Sequence, residues 1–170
     1  MRLIKIITQA KKLTIGGEKM LEYKIVEKAQ FTVMGKVRSF NADNSYVEVP
    51  KFWQELMQSE DNVVVGMYGI CLGIYGDRLD YMIADNYIPW NDIPEGYETK
   101  VIPAGTWAVF PCRGPLPKSI QDLNTQIWSD WLPNSKEYKL AGNYNIEMYS
   151  PCSGDPDNFY SEIWIPVEKI

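Results

Sequence analysis

The run TKVIPAGTWAVFP at residues 99–111 lies over YKIVEKAQFTVMG at residues 23–35 without a gap. Lys24 meets Lys100, Ile25 meets Val101, Val26 meets Ile102, Phe31 meets Trp107 and Val33 meets Val109. The same register carries GICLG (69–73) onto NIEMY (145–149). An internal repeat is a stronger guide to architecture than any single residue, because each copy must fold into the same supersecondary unit.

Each copy opens on a strand-like run and then carries one helical pattern, with apolar residues three and four positions apart. Val49, Phe52, Trp53, Leu56 and Met57 make the first stripe; Leu116, Ile120, Leu123, Ile127 and Trp131 make the second. Pro50 and Pro117 fit a first helical turn, where the missing N–H does no harm, and Pro133 is predicted to stop the second helix. Trp53, Trp128 and Trp131 lie on or beside these stripes and read as packing residues. Two strands are predicted after each helix, at 67–75 and 79–86, then at 145–150 and 159–167. The fold class is therefore α+β: a tandem, pseudo-twofold repeat of strand-helix-strand-strand units with antiparallel sheets and both helices on one side. The halves span about 21–90 and 97–170, joined by NYIPWNDIPEGYE (86–98), rich in turn formers.

The leading MRLIKIITQAKKLTIGGEKM matches no later segment. GGEKM is what the codons GGA GGA GAA AAA ATG, a purine-rich ribosome-binding site before a start, would translate to. The expectation is a native start at Met20, with residues 1–19 a mis-annotated leader and 20–170 one domain. A short amphipathic helix over residues 3–13 is the alternative reading.

With 170 residues, 45% hydrophobic, the chain can bury a substantial core in one domain. A net charge of −5 repels nucleic acid, so direct nucleic-acid binding is not expected. No apolar run approaches the roughly 20 residues of a membrane span, and the charges in RLIKIITQAKK interrupt any signal-peptide core, so the reading is a cytoplasmic protein with no membrane partner. Cys71, Cys112 and Cys152 are an odd, widely spaced set that fits neither a disulfide framework nor a zinc knuckle. The chain has no histidine, which excludes imidazole relays and most catalytic zinc sites. Chemistry here would run on carboxylates, tyrosines or water; no metal and no cofactor are expected, since no Gly-rich loop enters a helix.

Period-2 alternation assigns faces. Ile70, Leu72 and Ile74 share an all-apolar face, expected to lie under the helices, and the repeat register puts Ile146 and Met148 there too. Cys71, Gly73 and Tyr75 point the other way, as do Glu147 and Tyr149. In SEIWIPV (161–167), Ile163 and Ile165 should pack beneath the helices, leaving Glu162 on the opposite face beside Tyr160 and Trp164.

AGTWAVFPCRGPLP (104–117), SDWLPNSKEYKLAGNYNIEMY (129–149) and SEIWIPV, in that order, resemble the GyrI-like small-molecule-binding domain, which also serves as the effector domain of AraC- and MerR-type transcription regulators. The resemblance covers about residues 21–170. It implies a cleft between the halves that takes amphipathic, often cationic, organic molecules. It carries the family's pocket acid onto Glu162 and an aromatic, commonly tyrosine, onto Trp107. Tyr149, Trp164, Tyr75 and Glu147 complete the expected ligand-binding set, and Glu162, Trp164, Trp107 and Tyr149 should converge on one cavity. The function implied is binding of a lipophilic, cationic small molecule, for effector sensing or drug sequestration, with a separate regulator chain or a second copy as partner. Two alternatives follow from the same resemblance: a histidine-independent hydrolase of cyclopropane-bearing electrophiles with Glu162 as its catalytic residue, and a regulatory protein that inhibits a topoisomerase. A carboxylate among aromatics must find a proton, a cation or hydrogen-bond donors. Pairing of Glu162 with Arg113 is the structural alternative to a pocket role.

Overall fold

A computed structural model describes residues 21–151 and 154–170. The expected leader, the alternative helix at 3–13 and Cys152 fall outside the described residues. The chain runs β1 (Lys24–Lys28), β2 (Phe31–Asn41), α1 (Ser45–Gln58), β3 (Tyr68–Tyr75), β4 (Arg78–Asn86), β5 (Glu98–Ile102) and β6 (Gly105–Arg113). There follow α2 (Lys118–Gln126), β7 (Tyr138–Leu140), β8 (Asn145–Tyr149) and β9 (Tyr160–Lys169). The expected α+β architecture is present, and the leading run of each strand-helix-strand-strand unit breaks into two strands. Ala29 and Gln30 separate β1 from β2, and Pro103 and Ala104 separate β5 from β6. Pro103 has no N–H to give to a ladder, which ends β5 where it stands.

The described strands form one antiparallel sheet in the order β1-β6-β9-β8-β3-β4-β2-β5, with β7 added along the end of β9. Exchanging β1 with β5, β2 with β6, β3 with β8 and β4 with β9 leaves that order unchanged when it is read from the other end. The leading strands cross over: β1 pairs with β6, Val26 opposite Trp107, and β5 pairs with β2, Ile102 opposite Phe31.

Both helices lie on one face. Phe52 and Leu56 of α1 pack on Leu79, Tyr81 and Ile83 of β4. Ile120 and Leu123 of α2, with Ile127 just beyond it, pack on Phe110 of β6 and on Ile163 and Ile165 of β9, the two isoleucines expected there. Beyond Gln126 the helical path continues through a wide turn, Ile127–Trp131, where the Leu132 N–H reaches the Ile127 carbonyl, and a last turn, Leu132–Asn134. Pro133 thus sits inside the final turn rather than ending the helix before it. Pro50 also differs from expectation, lying well inside α1.

The opposite face holds the largest apolar cluster, built on Val33, Ile70, Met82, Trp107, Ile146 and Trp164. The rings of Phe31 on β2 and Trp164 on β9 approach to 6.5 Å although three strands lie between them. Neighbouring strands are about 4.8 Å apart, so that contact requires the sheet to curl around this face. Curvature buries it without any helix. This corrects the face assignment: Ile70, Leu72, Ile146 and Met148 pack in the curl, not under the helices. Alternation paired the residues correctly and named the wrong side, because an apolar face can be covered by the sheet's own curvature. A register shift between Cys71 and Gly73 reverses the alternation and returns Ile74 to the helix side.

Candidate functional site

The helices rest on the flanking strands and leave the central pair, β3 and β8, uncovered. The gap is a cavity of ≈ 690 Å³ walled by Val49, Trp53 and Met57 of α1, by Ile120, Gln121 and Asn124 of α2, and by Trp128. Its floor is the helix-side face of the central strands: Cys71, Asn145, Glu147 and Tyr149, with Tyr81 from β4. A volume of this size suits one organic molecule of drug size. Its wall is predominantly apolar, and Glu147 is the one Asp, Glu, Lys or Arg in the lining.

Two hydrogen bonds converge on that carboxylate, and a third braces one of its donors. The Tyr81 hydroxyl donates to Glu147 Oε2 at 2.6 Å and the Tyr149 hydroxyl donates to the same oxygen at 2.9 Å. Trp53 Nε1–H donates to the Tyr81 oxygen at 3.0 Å, fixing that phenol from the helix above. Among the described residues no lysine or arginine pairs with Glu147. Burial pushes the Glu147 carboxyl above its usual range, and the two phenols oppose that rise without cancelling it. Both tyrosines are held well above the ordinary phenol value, by burial first and then by the Glu147 charge. Burial also raises the Cys71 thiol, to about 11.

Gly69 makes this cluster fit. It stands opposite Glu147 in the β3–β8 ladder, and a Cβ there would lie 2.0 Å from the Tyr81 hydroxyl and 2.8 Å from Glu147 Oε2. At the rim, the Asp85 carboxylate accepts the successive N–H groups of Val65, Gly66 and Met67 at 2.7, 2.9 and 2.8 Å. Gly66, at φ +82°, turns there against the Trp53 ring, where a side chain would collide.

The expected site residues therefore divide. Glu147 and Tyr149 reach the cavity, whereas Glu162, Trp164 and Trp107 lie on the curled face and Tyr75 is 57% exposed at the end of β3. The expected convergence of Glu162, Trp164, Trp107 and Tyr149 on one cavity is corrected accordingly. Glu162 accepts from the Tyr160 hydroxyl at 2.7 Å and from Trp164 Nε1–H at 2.6 Å. Lys28 Nζ sits 3.8 Å from the centre of the Trp164 ring. Burial lowers the Lys28 pKa, and the Glu162 charge works against that. Arg113 stacks on the Tyr160 ring at 4.9 Å. Trp107 is 1% exposed and packs edge-on against Trp164 and Tyr144. Tyr75 carries Arg78 over its ring at 5.6 Å.

Sequence reasoning missed Tyr81, Cys71 and Asn145, and read Trp53 and Trp128 as packing although both line the cavity. The signal that could have found the site is Gly69, a glycine inside an apolar strand, which marks a close approach.

A curled antiparallel sheet with two helices astride its central strands, enclosing an apolar cavity with a single acid, defines a small-molecule-binding domain of the α+β class. The sequence match is specific: residues 24–167 fit the family model for integron-associated effector binding proteins, and the chain belongs to that family, in agreement with the GyrI-like resemblance. The fold is similar to that of SAV2435 bound to tetraphenylphosphonium, at 22% identity and a TM-score of 0.73, covering 87% of this chain and 94% of that one. It is similar to integron cassette protein VCH_CASS2 from Vibrio cholerae, at 16% identity and a TM-score of 0.64, covering 86% and 95%. It is also similar to the C-terminal domain of EcmrR, at 20% identity and a TM-score of 0.50, covering 89% and 100%. No curated protein matches the chain. Among the described residues no helix is long and apolar enough to cross a membrane.

Proposed function

We propose that the chain binds a lipophilic organic cation in the cavity between α1 and α2, with Glu147 as the counter-charge and Tyr81, Tyr149 and Trp53 as its setting. The observation that carries this reading is the lone carboxyl on the floor of an apolar cavity, hydrogen-bonded by two phenols and lacking a cationic partner among the described residues. Such a group is stabilised by whatever positive charge enters, and the indole and phenol faces around it add about 0.5–2 kcal/mol for each ring a cation meets. Effector binding by the family and tetraphenylphosphonium on SAV2435 support the ligand class.

Calorimetric titration with tetraphenylphosphonium tests the assignment. Glu147→Gln should weaken binding by about 1–3 kcal/mol, the scale of a desolvated ion contact. Glu162→Gln, on the far face of the sheet, should leave binding unchanged. Loss of affinity in the Glu162 variant and none in the Glu147 variant would reverse the assignment.

A further inference from the structure

The two phenols that hold Glu147 both donate to Oε2, and no described group bonds to Oε1. Oε1 is also not among the sealed-off polar atoms without a partner, so it opens onto the cavity. This distribution is informative. An ionised carboxylate only accepts, through either oxygen, so its open Oε1 could meet a cation but could give no hydrogen bond to a neutral acceptor. A neutral carboxylic acid has one carbonyl oxygen, whose two lone pairs take two donors, and one hydroxyl that must donate elsewhere. The neutral form can make these same contacts, with Oε2 as the doubly bonded oxygen and Oε1 as a hydroxyl free to donate into the ligand space.

We propose that the same cavity takes a second ligand class, neutral lipophilic molecules with one strong hydrogen-bond acceptor such as a phosphine oxide, sulfoxide or carbonyl, which the protonated Glu147 binds as donor through Oε1. This rests on the reading of the cavity as the ligand site, and it makes the proton on Glu147 the selector between the two classes. A cation enters by displacing the proton to solvent. A neutral acceptor keeps it.

Among the described residues around Glu147, it is the group that changes charge first as pH rises from the ordinary carboxylate range. β4 presents Tyr81, β8 presents Tyr149 and β3 presents Cys71, all three with raised pKa values. α1 presents Trp53, and α2 presents Gln121 and Asn124, none of which titrates. Burial favours the neutral form of Glu147 itself.

The test is a pair of probes with a shared triphenyl body, tetraphenylphosphonium and triphenylphosphine oxide, titrated calorimetrically across about pH 4.5 to about pH 8.5, the range in which a raised carboxyl changes charge. Phosphonium affinity should rise by up to about tenfold per pH unit below the raised Glu147 value and level off above it, whereas oxide affinity should be level below that value and fall by up to about tenfold per pH unit above it. Titrations in buffers of different ionisation heat should show proton release with phosphonium and uptake with the oxide. Glu147→Gln, whose amide also donates, should bind the oxide with no pH dependence. If phosphonium follows this course while the oxide fails to bind, or binds equally at every pH, the second ligand class is overturned and the cation site stands. If phosphonium itself does not bind, or binds equally well to Glu147→Gln at every pH, the underlying reading falls.

Discussion

Glu162 and Glu147 stand on neighbouring strands, and the sheet's two faces give them unrelated environments. Glu162 is satisfied by Tyr160 and Trp164 with Lys28 close by, which answers why a carboxylate stands inside an apolar strand. Among the described residues Glu147 accepts only from neutral donors, and its pKa is raised. In the sign of the linkage, a folded-state carboxyl that holds its proton more tightly than the unfolded chain stabilises the fold at low pH. That contribution is lost as pH climbs from the ordinary 4.5 through the raised value. Ligand-free protein should therefore lose melting temperature across that window, and Glu147→Gln should flatten this limb when melts are compared pH by pH. Gly69→Ala should drive its methyl into Tyr81 and Glu147, costing about 1–3 kcal/mol in chemical unfolding and weakening phosphonium binding. Alternation made Glu147 and Tyr149 legible as partners on one face, and the sequence separated them correctly from Ile146 and Met148. It could not say which face was the cavity, since that depends on where the helices leave the sheet bare.

Pro50 explains a contact between the two helices. A proline inside a helix removes the N–H that would bond to the carbonyl four residues back, here Tyr46. That carbonyl instead accepts Gln121 Nε2–H from α2 at 3.0 Å, while Asn124 Nδ2–H donates to the Tyr46 hydroxyl at 3.1 Å. The helix defect thus becomes a tie across the cavity mouth. Gln121→Ala should cost about 0.5–1 kcal/mol in the parent, the usual net value of one hydrogen bond. In a Pro50→Ala background, where the backbone N–H restored at that position can serve the Tyr46 carbonyl, the same change should cost close to nothing. Urea unfolding of the four proteins reads the difference, and equal costs in both backgrounds would mean that the tie carries no energy. The stripes that mark both helices were plain in the sequence. Their ends were not: Pro50 resembles an N-terminal proline by composition, and only the facing glutamine accommodates it further in. The short β7 and the wide turn at Ile127–Trp131 had no sequence signal, because both are set by packing against the end of β9 and beneath Trp131.

The crossing of β1 and β5 binds the two parts of the chain into one cooperative body. The segment before the linker lacks β6, which pairs β1, and β8, which pairs β3. Expressed alone to Asn91 it should stay unfolded, whereas the two segments produced together, cut between Asn91 and Asp92, should assemble and melt in one transition. Two separate transitions, with coincident probes failing to overlay, would show that the crossing strands do not couple them. Length and composition indicated one domain, and the matched runs indicated paired units. The crossing itself could not be read, since nothing in a strand's own residues names its neighbour in the sheet. The crossing also sets what the molecule shows to others of its kind. It places β1 and β5 at the two margins of the main sheet, and both are five residues long. Lys24, Glu27 and Lys28 punctuate one margin, and Glu98 and Lys100, paired at 3.0 Å, punctuate the other. Short, charged margins resist the addition of a foreign strand. A protein with an apolar cavity open to solvent is thereby protected from aggregation along the two end strands of its main sheet.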